Sequence, residues 1–151
     1  FTVGDKKVYL SPILDLFNGE IVSYDISSRP TFKQTMNMLD KAFEKIPDGT
    51  NLILHSDQGW QYQMKHYQHR LKEKGIIQSM SRKGNCLDNS VMENFFGLLK
   101  TEMFYGHRFK DANHLIAEIE NYIEYYNNDR IKLKLNGLSP VKYRTKSTLV
   151  A

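Results

Sequence analysis

Short apolar runs alternate with turn residues through the first thirty positions. Val8-Tyr9-Leu10 and Ile13-Leu14 form one run, Ile21 to Ile26 another, and Asn18-Gly19 lies between them. Asn and Gly both accept positive φ, so this pattern predicts a β-hairpin. Gly4-Asp5 marks an earlier turn, which makes Phe1-Thr2-Val3 the stub of a preceding strand. From Thr31 the period changes. Phe32, Met36, Leu39, Phe43 and Ile46 recur at three and four residues, which predicts a helix with one buried stripe. Thr31 and Gln34 are spaced for a capping box, and Pro47-Asp48-Gly49 ends the pattern. Leu52-Ile53-Leu54 is a continuous apolar run, as expected of a strand buried on both faces. A helix over Gln63 to Lys74, stopped by Gly75, and a strand over Ile76 to Met80 follow. Ser81 to Asn89 is polar and reads as a flexible loop. Two more helices are predicted, from Ser90 to about Phe104 and from Asp111 to Tyr126. After Asp129 the chain reads as an extended arm.

This order, β-β-β-α-β-α-β-α-α, predicts an α/β fold with one mixed sheet flanked by helices. The chain divides into a core over 1–129 and a basic arm over 130–151. Its 151 residues suffice for one buried core, and 40% hydrophobic with 25% charged residues argues against wholesale disorder. Cys86 is the single cysteine, which excludes an internal disulfide and fits a reducing, cytoplasmic setting. No apolar run approaches the ~20 residues of a membrane span.

Charge changes the picture further. The net charge is +4, yet the six basic residues from Arg130 to Ala151 meet no acidic one. Gln61 to Leu87 holds Lys65, Arg70, Lys72, Lys74, Arg82 and Lys83 against Glu73 alone. Clustered cations gain by releasing the counterions of an anionic polymer, although a solvated basic surface has the same composition.

Two carboxylates stand out by position. Asp57, in His55-Ser56-Asp57-Gln58-Gly59, follows a predicted strand at its C-terminal end, where open α/β sheets place ligands. An Asp here also stabilises its own turn. Glu93 opens a helix, and Ser90-Val91-Met92-Glu93 matches a capping box, which would give it a purely local role. Against that, Glu93, Gly97 and Lys100 share one helix face, while Met92, Phe95, Leu99 and Met103 lie on another stripe. Gly97 costs the helix about 1 kcal/mol relative to Ala. A carboxylate, a gap and a cation in line suit a metal ion with a phosphate strand laid over it. Tight packing is the other reason for such a glycine.

His55 to Tyr62, and Ser79 to Phe96, resemble the second and third acidic motifs of insertion-sequence transposases with a retroviral-integrase-like core. Thirty-five residues separate Asp57 from Glu93, as in that superfamily, and Lys100 stands seven beyond Glu93. Tyr125 to Arg130 and Leu135 to Arg144 resemble the family's C-terminal signature, and Tyr9 to Phe17 its second strand. The resemblance covers nearly the whole chain and is closest to the insertion-sequence three group. It implies an RNase H-like fold with a mixed five-stranded sheet, its first strand truncated here. It also implies a DNA transposase core that cleaves and transfers DNA strands with Mg²⁺, for which Mn²⁺ can substitute. Two ions would be held by three carboxylates, of which Asp57 and Glu93 are two. Lys100 would hold the DNA end, assisted by Arg82, Lys83, Asn85 and Asn89. DNA would be the partner, with a homo-oligomer assembled on it in a bacterial cytoplasm.

The family's first catalytic Asp falls before Phe1, so residues 1–151 alone are expected to be inactive. Asp15 matches a position the family does not use for catalysis and is assigned to the turn before Asn18-Gly19. His55, His66, His69 and Cys86 fit no standard zinc spacing. Trp60, Tyr62 and Tyr67 are candidates for base stacking or for the core. A nuclease of the same fold that only hydrolyses, and a non-catalytic DNA-binding or assembly remnant, are the alternative readings.

Overall fold

A computed structural model describes residues 1–49, 52–81, 90–132 and 135–150. Arg82, Lys83, Asn85 and Asn89 therefore lie outside the described residues, as does the loop predicted around them. β1 (Thr2–Val3) pairs antiparallel with β2 (Lys6–Lys7), and β3 (Tyr9–Leu14) with β4 (Ile21–Ser27). In the β3–β4 turn the Gly19 N–H donates to Asp15 O at 2.7 Å, with Gly19 at φ +80°. The Asp15 carboxylate accepts from the Phe17 N–H at 2.9 Å, the turn role assigned to it.

Helix α1 (Phe32–Phe43) starts at Thr31, whose hydroxyl accepts from the Gln34 N–H at 3.3 Å. The reciprocal half of the capping box is not made. The buried Gln34 amide instead donates to Tyr9 O at 2.8 Å and Asp25 O at 3.1 Å, stitching α1 to both strands of the hairpin. The predicted stripe forms: Leu39 is buried in one cluster with Tyr67 and Leu71, and Phe32, Met36 and Phe43 pack half-buried against it. A second face, Met38 and Ala42, is buried as well, so α1 is covered on two sides, which one apolar stripe does not reveal.

β5 (Ile53–Ser56) pairs parallel with β6 (Ile77–Met80), and α2 (Lys65–Lys74) crosses between them. Gly75 ends α2 at φ +80°, where its Cα lies so near Gly49 that a Cβ would sit 3.0 Å from the Gly49 Cα. Leu52 and Ile53 are 47% and 66% exposed, so β5 is not buried on both faces. Ile53 stands opposite the exposed Ile77, and only Leu54 packs inward. Nor is there one five-stranded ladder. Among the described residues the strands form three two-stranded ladders, because no hydrogen bonds join β3–β4 to β5–β6.

α3 (Ser90–Leu99) runs into a π-helical turn (Lys100–Phe104), and α4 (Ala112–Asn128) begins at Asp111, whose carboxylate caps the His114 N–H at 2.8 Å. Phe95, Leu99 and Met103 from the first pair meet Leu115, Ile119, Tyr122, Ile123 and Tyr126 from α4, forming the main core with Val8 and Ile21. Where the sequence suggests an extended arm, Pro140–Val150 is helix α5. Ser139, fully buried, donates to Asn128 O at 2.9 Å, and Asn18 Nδ2 donates to Pro140 O at 2.9 Å. Arg144 pairs with Glu20 at 2.9 Å. These contacts dock the segment on the β3–β4 turn, which no local pattern reveals.

Asn127 completes this attachment. Its Oδ1 accepts from the Ile21 N–H at 2.8 Å, and its Nδ2 donates to Ile21 O at 3.0 Å. Asn127→Leu leaves both backbone groups of the buried Ile21 unpaired and is expected to lower stability by about 2–3 kcal/mol in urea unfolding. A loss below roughly 0.5 kcal/mol would mean that the amide does not support β4.

Candidate functional site

Asp57 emerges from the end of β5 and is exposed. Its Oδ1 accepts from the Gly59 N–H at 2.8 Å, so the turn-stabilising reading is realised. The approach is close, since a Cβ on Gly59 would lie 3.0 Å from that oxygen. A carboxylate with one such bond retains acceptor sites for a ligand. Of the neighbouring aromatic residues, Tyr67 is core and Tyr62 packs edge-on against it at 5.4 Å. Trp60 stays 55% exposed, tilted over Phe32 at 6.4 Å.

Glu93 lies in the first turn of α3 and is exposed. The opposite stripe, Phe95 and Leu99, is fully buried, so the division of faces expected from spacing holds. Gly97 is also exposed, and a Cβ built there meets nothing within 4 Å among the described residues. Packing against a described neighbouring element therefore does not explain this glycine. Lys100 opens the π-helical turn, half-buried, with its ammonium 5.9 Å from the centre of the Phe1 ring.

Neither Asp57 nor Glu93 forms an ion pair among the described residues. No hydrogen bond joins the two, and no three His, Cys, Asp or Glu side chains among the described residues gather as a metal cluster. Their outward carboxylate oxygens are nonetheless the hard donors that Mg²⁺ takes, and two such residues commonly leave the remaining positions to water and phosphate. The histidines are dispersed: His55 contacts Ser79 Oγ at 3.0 Å, His66 meets the Phe32 ring edge-on, and His69 pairs with Glu73.

The basic runs divide in three dimensions. Arg70 pairs with Asp40 at 2.7 Å and lies over the Phe43 ring, which Lys74 also approaches while pairing with Asp48 at 2.7 Å. Arg130 and Arg144 hold Glu102 and Glu20, and Lys132 lies 4.4 Å over the Tyr126 ring. Much of the apparent polyanion-binding charge thus serves the fold, because a run along the chain does not reveal partners brought from elsewhere.

The sequence reading missed a network beside α3. Arg130 grips Glu102 with its fork, Nε to Oε1 at 2.8 Å and Nη2 to Oε2 at 2.5 Å, and the Tyr122 hydroxyl donates to the same Oε1 at 2.8 Å. Hydrogen bonding from Arg130 holds the Glu102 carboxyl below its ordinary value of 4.5, against the opposing effect of partial burial and with help from Tyr122. Burial, then Glu102, pushes the Tyr122 phenol above its ordinary range. The network borders an open groove of about 770 Å³ that includes His107, Arg108, His114 and Tyr125. The sequence signal was limited to Arg130, which falls in a motif of unspecified role.

Two family models, each described as an integrase core domain, match residues 1–86 and 93–148. InsK of insertion sequence element IS150, from Escherichia coli K12, is 55% identical over 147 residues, covering 97% of this chain and 52% of that protein. Transposase InsF of insertion sequence IS3A, from the same strain, is 35% identical over 141 residues, covering 93% and 49%. The chain thus spans about half the length of these relatives. The HTLV-2 integrase catalytic core domain in complex with magnesium, in a trimeric form, superposes with a TM-score of 0.66 at 15% identity, covering 91% of this chain and 92% of that one. This likeness is one of fold, and it bears out the RNase H-like α/β class.

Gly97→Ala should raise stability by about 0.5–1 kcal/mol, since the added methyl meets open space and removes backbone entropy. Destabilisation in urea unfolding would show that the face is occupied. For Glu102, a folded value below the unfolded one means stabilisation above the ordinary Glu range that is lost as pH falls through the folded value. Below about pH 5, Glu102→Gln should therefore lose stability less steeply than the unmodified protein. Parallel pH profiles in chemical unfolding would refute this.

Proposed function

This chain belongs to the integrase core domain family, and on that footing we propose that the whole protein is a DNA transposase whose core cleaves a DNA strand and transfers its end to a second duplex with Mg²⁺. The supporting observation is the open face of α3, where Glu93 and Gly97 are exposed opposite the buried Phe95 and Leu99, with the half-buried Lys100 following at the head of the π-helical turn. Asp57 and Glu93 are the metal-holding residues. Lys100 contributes a cation to the phosphate backbone, and Gly97 admits that backbone close to the helix. We assign further DNA contacts to Arg82, Lys83, Asn85 and Asn89, which precede Glu93 along the chain but lie outside the described residues.

The carboxylates of Asp57 and Glu93 require little reorganisation to accept a cation, because both already face solvent. A pair of Mg²⁺ ions, or Mn²⁺ in their place, would supply Lewis-acid activation of the attacking oxygen and stabilisation of the leaving one. Such chemistry needs no covalent enzyme intermediate, so the role of the chain is to position charge. Assembly as a homo-oligomer on DNA is part of the same proposal, supported by the trimeric form of the HTLV-2 core.

Asp57→Asn and Glu93→Gln in the whole protein should each abolish joining of donor ends to target DNA in Mg²⁺ or Mn²⁺, with unchanged thermal unfolding. Retained joining by either variant would overturn the assignment. Cleaved ends without joined product in the unmodified protein would instead favour a nuclease, and DNA binding without cleavage a non-catalytic assembly module. Lys100→Ala should weaken DNA binding and lower the salt dependence by about one unit of log–log slope. Unchanged affinity at low salt would remove Lys100 from the interface.

A further inference from the structure

The residue assigned to the DNA phosphate begins an irregular turn. The Tyr105 N–H donates to Lys100 O at 2.7 Å, an i to i+5 bond that widens the helix by one residue. The widening has a local cause. Phe95, Leu99 and Met103 are spaced strictly by four, which drifts around a 3.6-residue helix, and a wider turn brings Met103 back to the buried stripe. Such turns are uncommon and frequently mark functional sites. This one is held at its middle and at both ends. Glu102 receives the Arg130 fork and the Tyr122 hydroxyl, while Phe104 meets the Phe1 ring at 5.1 Å, over which the Lys100 ammonium lies.

The holding groups are anchored independently of the turn. Tyr122 is buried in α4, and Arg130 follows the helix end, where its N–H donates to Tyr125 O at 2.8 Å. The Arg130 guanidinium is itself engaged by Glu102. We propose that Arg130 is a positioning residue for Lys100: by gripping Glu102 it fixes the π-helical turn, and thereby the place where the ammonium meets a DNA phosphate. This rests on the proposed DNA role of Lys100. It assigns the Arg of the C-terminal motif an action through the protein rather than a phosphate contact of its own.

The two possibilities differ in sign at Glu102. If Arg130 acts through the turn, Glu102→Gln weakens DNA binding. If Arg130 is a phosphate ligand restrained by Glu102, removing that carboxylate charge strengthens binding. Affinity of the whole protein for a donor-end duplex would be measured across a salt series for Lys100→Ala, Arg130→Lys, Glu102→Gln and the two doubles with Lys100→Ala. Arg130→Lys keeps the charge but not the two-pronged grip. Thermal unfolding verifies that each variant is folded.

Arg130→Lys and Glu102→Gln should each lower the salt slope toward that of Lys100→Ala. Each double should match Lys100→Ala within about twofold, the error to which independent effects add. Full additivity, or tighter binding by Glu102→Gln, would overturn the positioning role while leaving the DNA reading intact. A Lys100→Ala variant with unchanged affinity and slope would overturn the DNA reading, and the positioning role with it.

Discussion

Burial of one stripe of α3 against α4 governs the rest of the molecule. Phe95 and Leu99 are fully enclosed by Leu115, Ile119, Tyr122 and Tyr126, and a helix so enclosed has little rotational freedom about its axis. The opposite face is thereby committed to solvent. Glu93 and Gly97 occupy that face because apolar area drives the other one inward, at about 25 cal/mol per Å² removed from water. The outward orientation of the candidate site is a consequence of the core.

The same core explains the C-terminal motif. Tyr126 packs edge-on against Phe95 at 5.0 Å, Asn127 supplies both backbone partners of Ile21, and Arg130 holds the turn after α3. Three residues within five positions thus tie α4 to α3 and to β4. Ser139 and Asn18 extend the tie to α5. A motif that resembles a functional signature is, in these contacts, a clamp between elements distant in sequence. Its polar members are partly shielded, where a satisfied hydrogen bond is retained and an unsatisfied one is costly.

Much of the fold was legible in advance where the signal was local. The Asn18-Gly19 hairpin, the Thr31 and Asp111 helix starts and the Gly75 stop follow from backbone preferences of single residues. The buried stripe of α4 follows from its period. Other readings failed where a partner from elsewhere decided the outcome. Gln34 left its capping box because two strand carbonyls lay within reach. Leu52 and Ile53 looked like core but remain exposed, since hydrophobicity does not say which element covers a strand. Of the candidate site, Asp57, Glu93 and Lys100 were nominated from spacing and family resemblance, whereas the Glu102–Arg130 pair was not, its members being twenty-eight residues apart with no periodic relation.

Sequence alone determined the family, the order of the main elements from β3 to α4 and the face of α3 on which Glu93 falls. These depend on residue type and on helical or strand periodicity, which act over a few positions. Tertiary structure alone decided that Arg70, Lys74, Arg130 and Arg144 are tied up in ion pairs within the chain, that 140–150 folds back as a helix, and that a π-helical turn stands at Lys100. Those outcomes turn on charge pairing and packing between segments whose proximity exists only once the chain has folded.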